Sequence, residues 1–226
     1  MIFELPPTGG APLWRRLVQV VAGLVIYGFS AAVMIHAVIG IDPWDVFHQG
    51  LSVMTGVPFG IVIIIVGAGV LLLWIPLRQK LGLGTVLNLF IIGLTLDFFM
   101  GVLPVASGIW MSLGFFVFGV IANGLAIALY VGAGLGAGPR DGLMTALVKR
   151  TGRPVWLVRT AIEISVLAGG WMLGGTVGIG TVIYALTIGP VAHVLMPFFA
   201  LEAPRTSGSA RARALEELEA ENPEGH

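Results

Sequence analysis

Six long stretches of the chain are almost free of charge, and each is close to the length a helix needs to cross a bilayer. They run over residues 17–40, 58–77, 82–102, 108–131, 154–173 and 178–201, against about 20 residues for a span. The pattern predicts an all-α, polytopic membrane protein with six transmembrane helices. The first run exceeds the roughly 7–15 residue core of a secretory signal, and no small-residue cleavage site follows it, so it reads as a retained span. Two longer connections, 41–57 and 132–153, each carry an apolar helix-like stretch of about ten residues. Such stretches are too short to cross and are expected to lie at the interface or to dip in as half-helices buried against protein.

The same two connections carry the clearest internal pattern. IGIDPWD at Ile39–Asp45 and LGAGPRD at Leu135–Asp141 both read G-x-x-P-x-D. A shift of 96 positions lays Gly40 on Gly136, Pro43 on Pro139 and Asp45 on Asp141. It continues without a gap through Thr55 on Thr151, Pro58 on Pro154, Thr85 on Thr181 and Gly93 on Gly189. Apolar chains match through Leu, Val and Ile by chance, but a gapless register that also aligns Gly, Pro, Asp and Thr points to a duplication. The chain divides into a lead (1–12), a first three-helix repeat (13–107), a second (108–201) and a tail (202–226). Three spans is an odd number, so the second repeat is expected to enter the membrane from the opposite face. Inverted repeats of this kind are the plan of many secondary transporters, with the site at the repeat interface beside broken helices. A six-helix bundle without a pathway is the plain alternative.

Composition agrees with the pattern. Apolar residues make up 57% of the chain and charged ones 11%, against roughly a quarter charged in a soluble domain. Lys and Arg fall at the start (Arg15, Arg16), in alternate loops (Arg78 and Lys80; Arg140, Lys149, Arg150 and Arg153) and after the last span (Arg205, Arg211 and Arg213). The positive-inside tendency then puts both termini in the cytoplasm, with a bacterial plasma membrane as the expected location. Without cysteine, no disulfide or thiolate metal site can form. Net charge near zero and the lack of a basic, aromatic-rich patch give no reason to expect nucleic acid. No P-loop, H-E-x-x-H or G-x-S-x-G pattern occurs, so neither an enzyme nor a cofactor is expected. The tail joins the linker-like APRTSGSA to an acidic helix-like run.

The candidate site residues follow from cost and position. Pro43 and Pro139 suit the first turn of a helix, Asp45 and Asp141 complement the positive helix start, and Gly40, Gly136 and Gly138 permit close approach. These features either merely start helices or aim half-helix starts at a substrate or gate. Arg159 and Glu163, four apart in the fifth span, are charges at membrane depth and so candidates for a polar path or an internal ion pair. Asp97 and its repeat mate His193 are weaker candidates for proton coupling. His36, His48, Asp42, Asp45 and Asp97 form an outer-side collection of acids and imidazoles that could bind a cation or relay protons, without metal-site spacing. Asn88, Tyr184, Asn123 and Tyr27 are read first as helix-to-helix hydrogen-bonding groups, and Trp14, Trp74, Trp110, Trp156 and Trp171 as interfacial anchors.

The run GLGAGPRDGLMTALVKRTGRPVWLVRTAIE, with Gly178-Ile179-Gly180-Thr181 downstream, resembles the YczE/YyaS/YitT-type bacterial multi-pass membrane proteins, and the likeness covers about residues 13–200. It implies a bacterial inner-membrane protein and brings no established substrate or site residue. The reading that results is a small secondary transporter or permease for a small molecule or ion, surrounded by lipid and rocking about a central site. The alternative is an accessory or regulatory membrane protein acting through a partner, and a homodimer is left open.

Overall fold

The computed structural model describes residues 11–201; most of the lead, the linker and the acidic run of the tail lie outside them. Eight helices follow in order among the described residues: α1 (Leu13–Ala37), α2 (Pro43–Thr55), α3 (Phe59–Leu77), α4 (Leu83–Val102), α5 (Ile109–Gly132), α6 (Pro139–Thr151), α7 (Val155–Met172) and α8 (Ile179–Phe199). Six of them, all but α2 and α6, are long and apolar enough to cross a membrane. The protein is a multi-pass membrane protein.

α1 and α5 form the antiparallel centre. Arg16 near the start of α1 bonds the carbonyl of Ala133 just past the end of α5 (2.8 Å), and Asn123 of α5 donates to Ser30 of α1 (2.9 Å). Small residues let these backbones close up, since a Cβ at Gly23 would stand 2.8 Å from the Tyr130 amide nitrogen. In lipid, where apolar surface gains little by leaving the solvent, such packing and cross-helix hydrogen bonds hold helices together. Tyr184 extends the network by donating to Asn123 (2.8 Å), so the expected helix-to-helix role of Asn123 and Tyr184 is what the structure contains.

α4 packs on α1 as α8 packs on α5, α3 on α6 as α7 on α2. The two halves of the chain are tied crosswise. The Gly84 amide donates to the Leu135 carbonyl (2.7 Å), and the Gly180 amide donates to the Ile39 carbonyl (3.0 Å); each residue of the first bond lies 96 positions from its counterpart in the second. Thr85 donates to Ala137 (2.7 Å), and its mate Thr181 accepts from Ile41 (3.2 Å). Only glycine suits the crossing points, where Gly40 and Gly136 take φ of 139° and 121°.

The short helices begin and end alike. Each has proline at its start, 13 residues, and a left-handed glycine cap, Gly56 or Gly152, followed by Pro58 or Pro154. Each is about 20 Å long. The end of α2 leads into the start of α3, while Arg150 near the end of α6 bonds Pro76 near the end of α3 (3.2 Å). Their starts meet, through Arg140 and Asp42 (2.6 Å). Two half-length helices thus lie start to start and diverge toward the two ends of α3.

Two sequence expectations are corrected. Trp74 is not an interfacial anchor: it is 1% exposed, its indole N–H donates to the Pro139 carbonyl (3.1 Å), and its ring fills the space left by Gly142. Trp14, Trp110, Trp156 and Trp171 are exposed. Arg16 and Arg140, counted as loop charges, are built into the interior, Arg16 as a cap on the carbonyl end of α5. Arg15, Arg78, Lys80, Lys149, Arg150 and Arg153 remain on the surface.

Candidate functional site

A chamber of about 920 Å³ lies where the starts of α2 and α6 meet. Tyr27 and Tyr130 of the central pair form one wall, Asn88 and Ile92 of α4 the next, and Ile63 and Val70 of α3 the third. Arg159 and Glu163 of α7 face Tyr184, Ile188 and His193 of α8. The connection after α5 supplies Gly136 and Gly138 to the wall, and the first turn of α6 supplies Pro139 and Asp141. Their mates Gly40, Pro43 and Asp45 stand behind it. From the first copy the wall takes Asp42, Trp44 and His48 instead.

The floor is a charge knot. Arg140 donates to Asp42 at 2.6 Å and to Asp45 at 3.4 Å, and His48 Nδ1 lies 3.3 Å from the same Asp45 oxygen. The guanidinium carbon of Arg140 stands 5.2 Å from the centre of the Trp44 ring, a cation–π distance. Trp44 and Arg140 lie 96 positions apart, each at the middle position of a P-x-D stretch. Burial pushes the Asp42 carboxyl up to about 7, with Arg140 opposing. At Asp45 burial pushes the same way, but the His48 hydrogen bond and the charge of Arg140 outweigh it and the net direction is down. Burial lowers His48 against the pull of Asp45, leaving a neutral imidazole at pH 7.

The remaining sequence candidates take different places. Asp141 accepts a hydrogen bond from the Tyr130 hydroxyl (2.5 Å) and has no basic group within 4 Å among the described residues. Arg159 and Glu163 pair at 2.8 Å along the α7 wall. Asp97 and His193 are not brought together. Asp97 faces away from the chamber and accepts from the Gly60 amide (2.7 Å), while His193 stands exposed at its mouth. His36 is buried with its Nδ1 unpartnered, apart from His48. No group of three metal-ligating side chains occurs among the described residues. Arg140, Trp44 and Tyr130 were missed as site residues; the Trp44/Arg140 coincidence under the 96-residue shift was the available signal.

The chamber wall is complete except on one side. α3 and α4 are closed on each other, with Gly60 against Gly93 and bonded to Asp97. The residues 96 positions on are Trp156, Gly189 and His193. They stand apart: Trp156 is 67% exposed, and a Cβ at Gly189 would meet nothing within 4 Å. α7 hardly touches α8, and the chamber opens between them.

Residues 14–197 match a family described as a family of unknown function, DUF6198. The chain belongs to this family. It is 38% identical over 180 residues to a Bacillus subtilis protein named uncharacterized membrane protein YczE, covering 78% of this chain and 83% of that one. It is 36% identical over 177 residues to an uncharacterized Haemophilus influenzae protein, covering 78% and 81%. The Bacillus subtilis uncharacterized protein YyaS is similar at 25% over 179 residues, covering 77% and 89%. No solved structure matches. Membership bears out the YczE-type resemblance and assigns no chemistry, so the chamber itself carries the functional argument.

Proposed function

We propose that this DUF6198 protein is a small secondary transporter or permease of the bacterial plasma membrane, with both termini in the cytoplasm. Two inverted three-helix repeats, related by a pseudo-two-fold axis in the membrane plane, would move against each other around the chamber. The observation that carries the reading is the charged chamber at the meeting point of two half-helix starts, closed along α3–α4 and open along the equivalent α7–α8. In an inverted pair these two seams belong to opposite faces, so one closed and one open seam is what a single state of an alternating-access cycle requires. The crosswise bonds Gly84–Leu135 and Gly180–Ile39 support the axis, and so does the contact of the mates Trp44 and Arg140. The exposed Arg153 stands just before α7, three residues before Trp156, which favours a cytoplasm-facing opening.

The test is flux in proteoliposomes loaded with a mixed solute pool, comparing intact protein, Glu163→Gln and protein-free vesicles. A paired variant, Trp156→Cys with His193→Cys, closes the open seam with a cross-linker. Protein-dependent flux of some solute, altered by Glu163→Gln and stopped reversibly by cross-linking, supports the reading. Equal flux of every solute with and without protein overturns it and favours an accessory role.

A further inference from the structure

We infer that the chamber binds a monovalent organic cation, with the carboxylate of Asp141 as its counter-charge. The inference rests on the chamber being the transport site and names its substrate class. Asp42 and Asp45 share one guanidinium, Arg140. Asp141 accepts from the Tyr130 hydroxyl and has no ion-pair partner among the described residues. Arg159 and Glu163 cancel, and Arg16 answers the carbonyl end of α5 through Ala133. Neutral His48 adds nothing. Asp141 is therefore the chamber carboxylate with no basic partner among the described residues, and the start of α6, roughly half a positive charge, offsets it only in part, in a setting where water does not screen it well.

Three further features select the kind of cation. The helix starts that would attract an anion already carry the chain's own acids, Asp45 and Asp141 in their first turns, so an anion has no open place there. The described residues hold no set of three ligands able to strip a metal ion of water. The walls are ring faces and branched apolar side chains, including Tyr27, Tyr130, Ile63, Val70 and Ile188, and Trp44 already holds a guanidinium on its face at 5.2 Å. A cavity of about 920 Å³ lies within the ~300–1,000 Å³ range of small-molecule sites. Apolar bulk, aromatic faces and one surplus carboxylate suit an organic ammonium or phosphonium ion.

The probes are tetraphenylphosphonium and tetraphenylborate, alike in shape and opposite in charge, titrated calorimetrically into the full chain in lipid nanodiscs against empty nanodiscs. Saturable binding of the cation and none of the anion is expected. Asp141→Asn should weaken the cation about tenfold or more, while Asp141→Glu keeps it. Equal or tighter binding of tetraphenylborate, or unchanged cation affinity in Asp141→Asn, overturns the inference. Should Asp141→Asn fail to fold, carbodiimide labelling of Asp141 in the unaltered protein serves: the cation must slow it and the anion must not, and labelling indifferent to both overturns the inference. Cation binding without flux leaves this inference standing and removes transport; flux of anions alone does the reverse.

Discussion

Arg140→Gln is the most informative single substitution. It removes the one guanidinium that holds Asp42 at 2.6 Å and Asp45 at 3.4 Å and lifts a cation from the Trp44 ring. Breaking a buried ion pair by deleting one partner costs about 3–5 kcal/mol, because the other charge stays behind. The Arg140 side chain is 24% exposed to the chamber and that of Asp42 11%, which points to the lower end, about 3 kcal/mol. For a chain of this size that corresponds to roughly 6–12 °C in Tm. The cost also depends on pH. Asp42 already titrates near 7 because burial favours its neutral form, and losing Arg140 pushes it higher still. Below the intact protein's value Asp42 is protonated in both proteins and the difference shrinks; as pH rises through about 7 the intact protein gains the ion pair and the variant does not. Thermal unfolding in nanodiscs at pH 6 and pH 8.5 should therefore show a larger gap at the higher pH, and adding Asp42→Asn to Arg140→Gln should recover part of it. An unchanged Tm in Arg140→Gln, or a gap that narrows as pH rises, would refute the charge-knot reasoning.

Arg159→Ala should change stability by less than about 1 kcal/mol, because the pair is 46% and 27% exposed, yet alter flux; unchanged flux beside an unchanged Tm removes Arg159 from the pathway. Gly142→Ala sets a methyl against the Trp74 ring and should cost about 1–3 kcal/mol, read as a lowered Tm, whereas alanine at Gly69, where nothing lies within 4 Å, should be neutral. Trp74→Phe removes the indole donor to Pro139 and leaves a void beside Gly142, and should cost about 1–3 kcal/mol, again checked by Tm.

Much of this architecture was legible along the chain. Apolar runs near span length gave six crossing helices, and Pro43 and Pro139 marked the starts of the two short helices. These are local signals, written in spacing and in backbone permissiveness. What escaped was set by partners far apart in sequence. Arg140 reads as a loop charge until α2 and α6 meet start to start, when Asp42, 98 positions away, becomes its ion-pair partner. Trp74 reads as an anchor because it ends a span, and only the missing side chain at Gly142 draws it inward. The open α7–α8 seam was not read from the sequence, although Trp156 and His193 stand where the closed α3–α4 seam has Gly60 and Asp97.

The account depends most on the two repeats entering the membrane from opposite faces, and labelling can test that directly. The chain has no cysteine, so single cysteines can replace Thr55 and Thr151, exposed mates at the ends of α2 and α6. A membrane-impermeant maleimide applied to intact cells, and then to inverted vesicles, should label Thr55→Cys only in the first and Thr151→Cys only in the second. Labelling of both positions from the same face would contradict the inverted arrangement and with it the alternating mechanism.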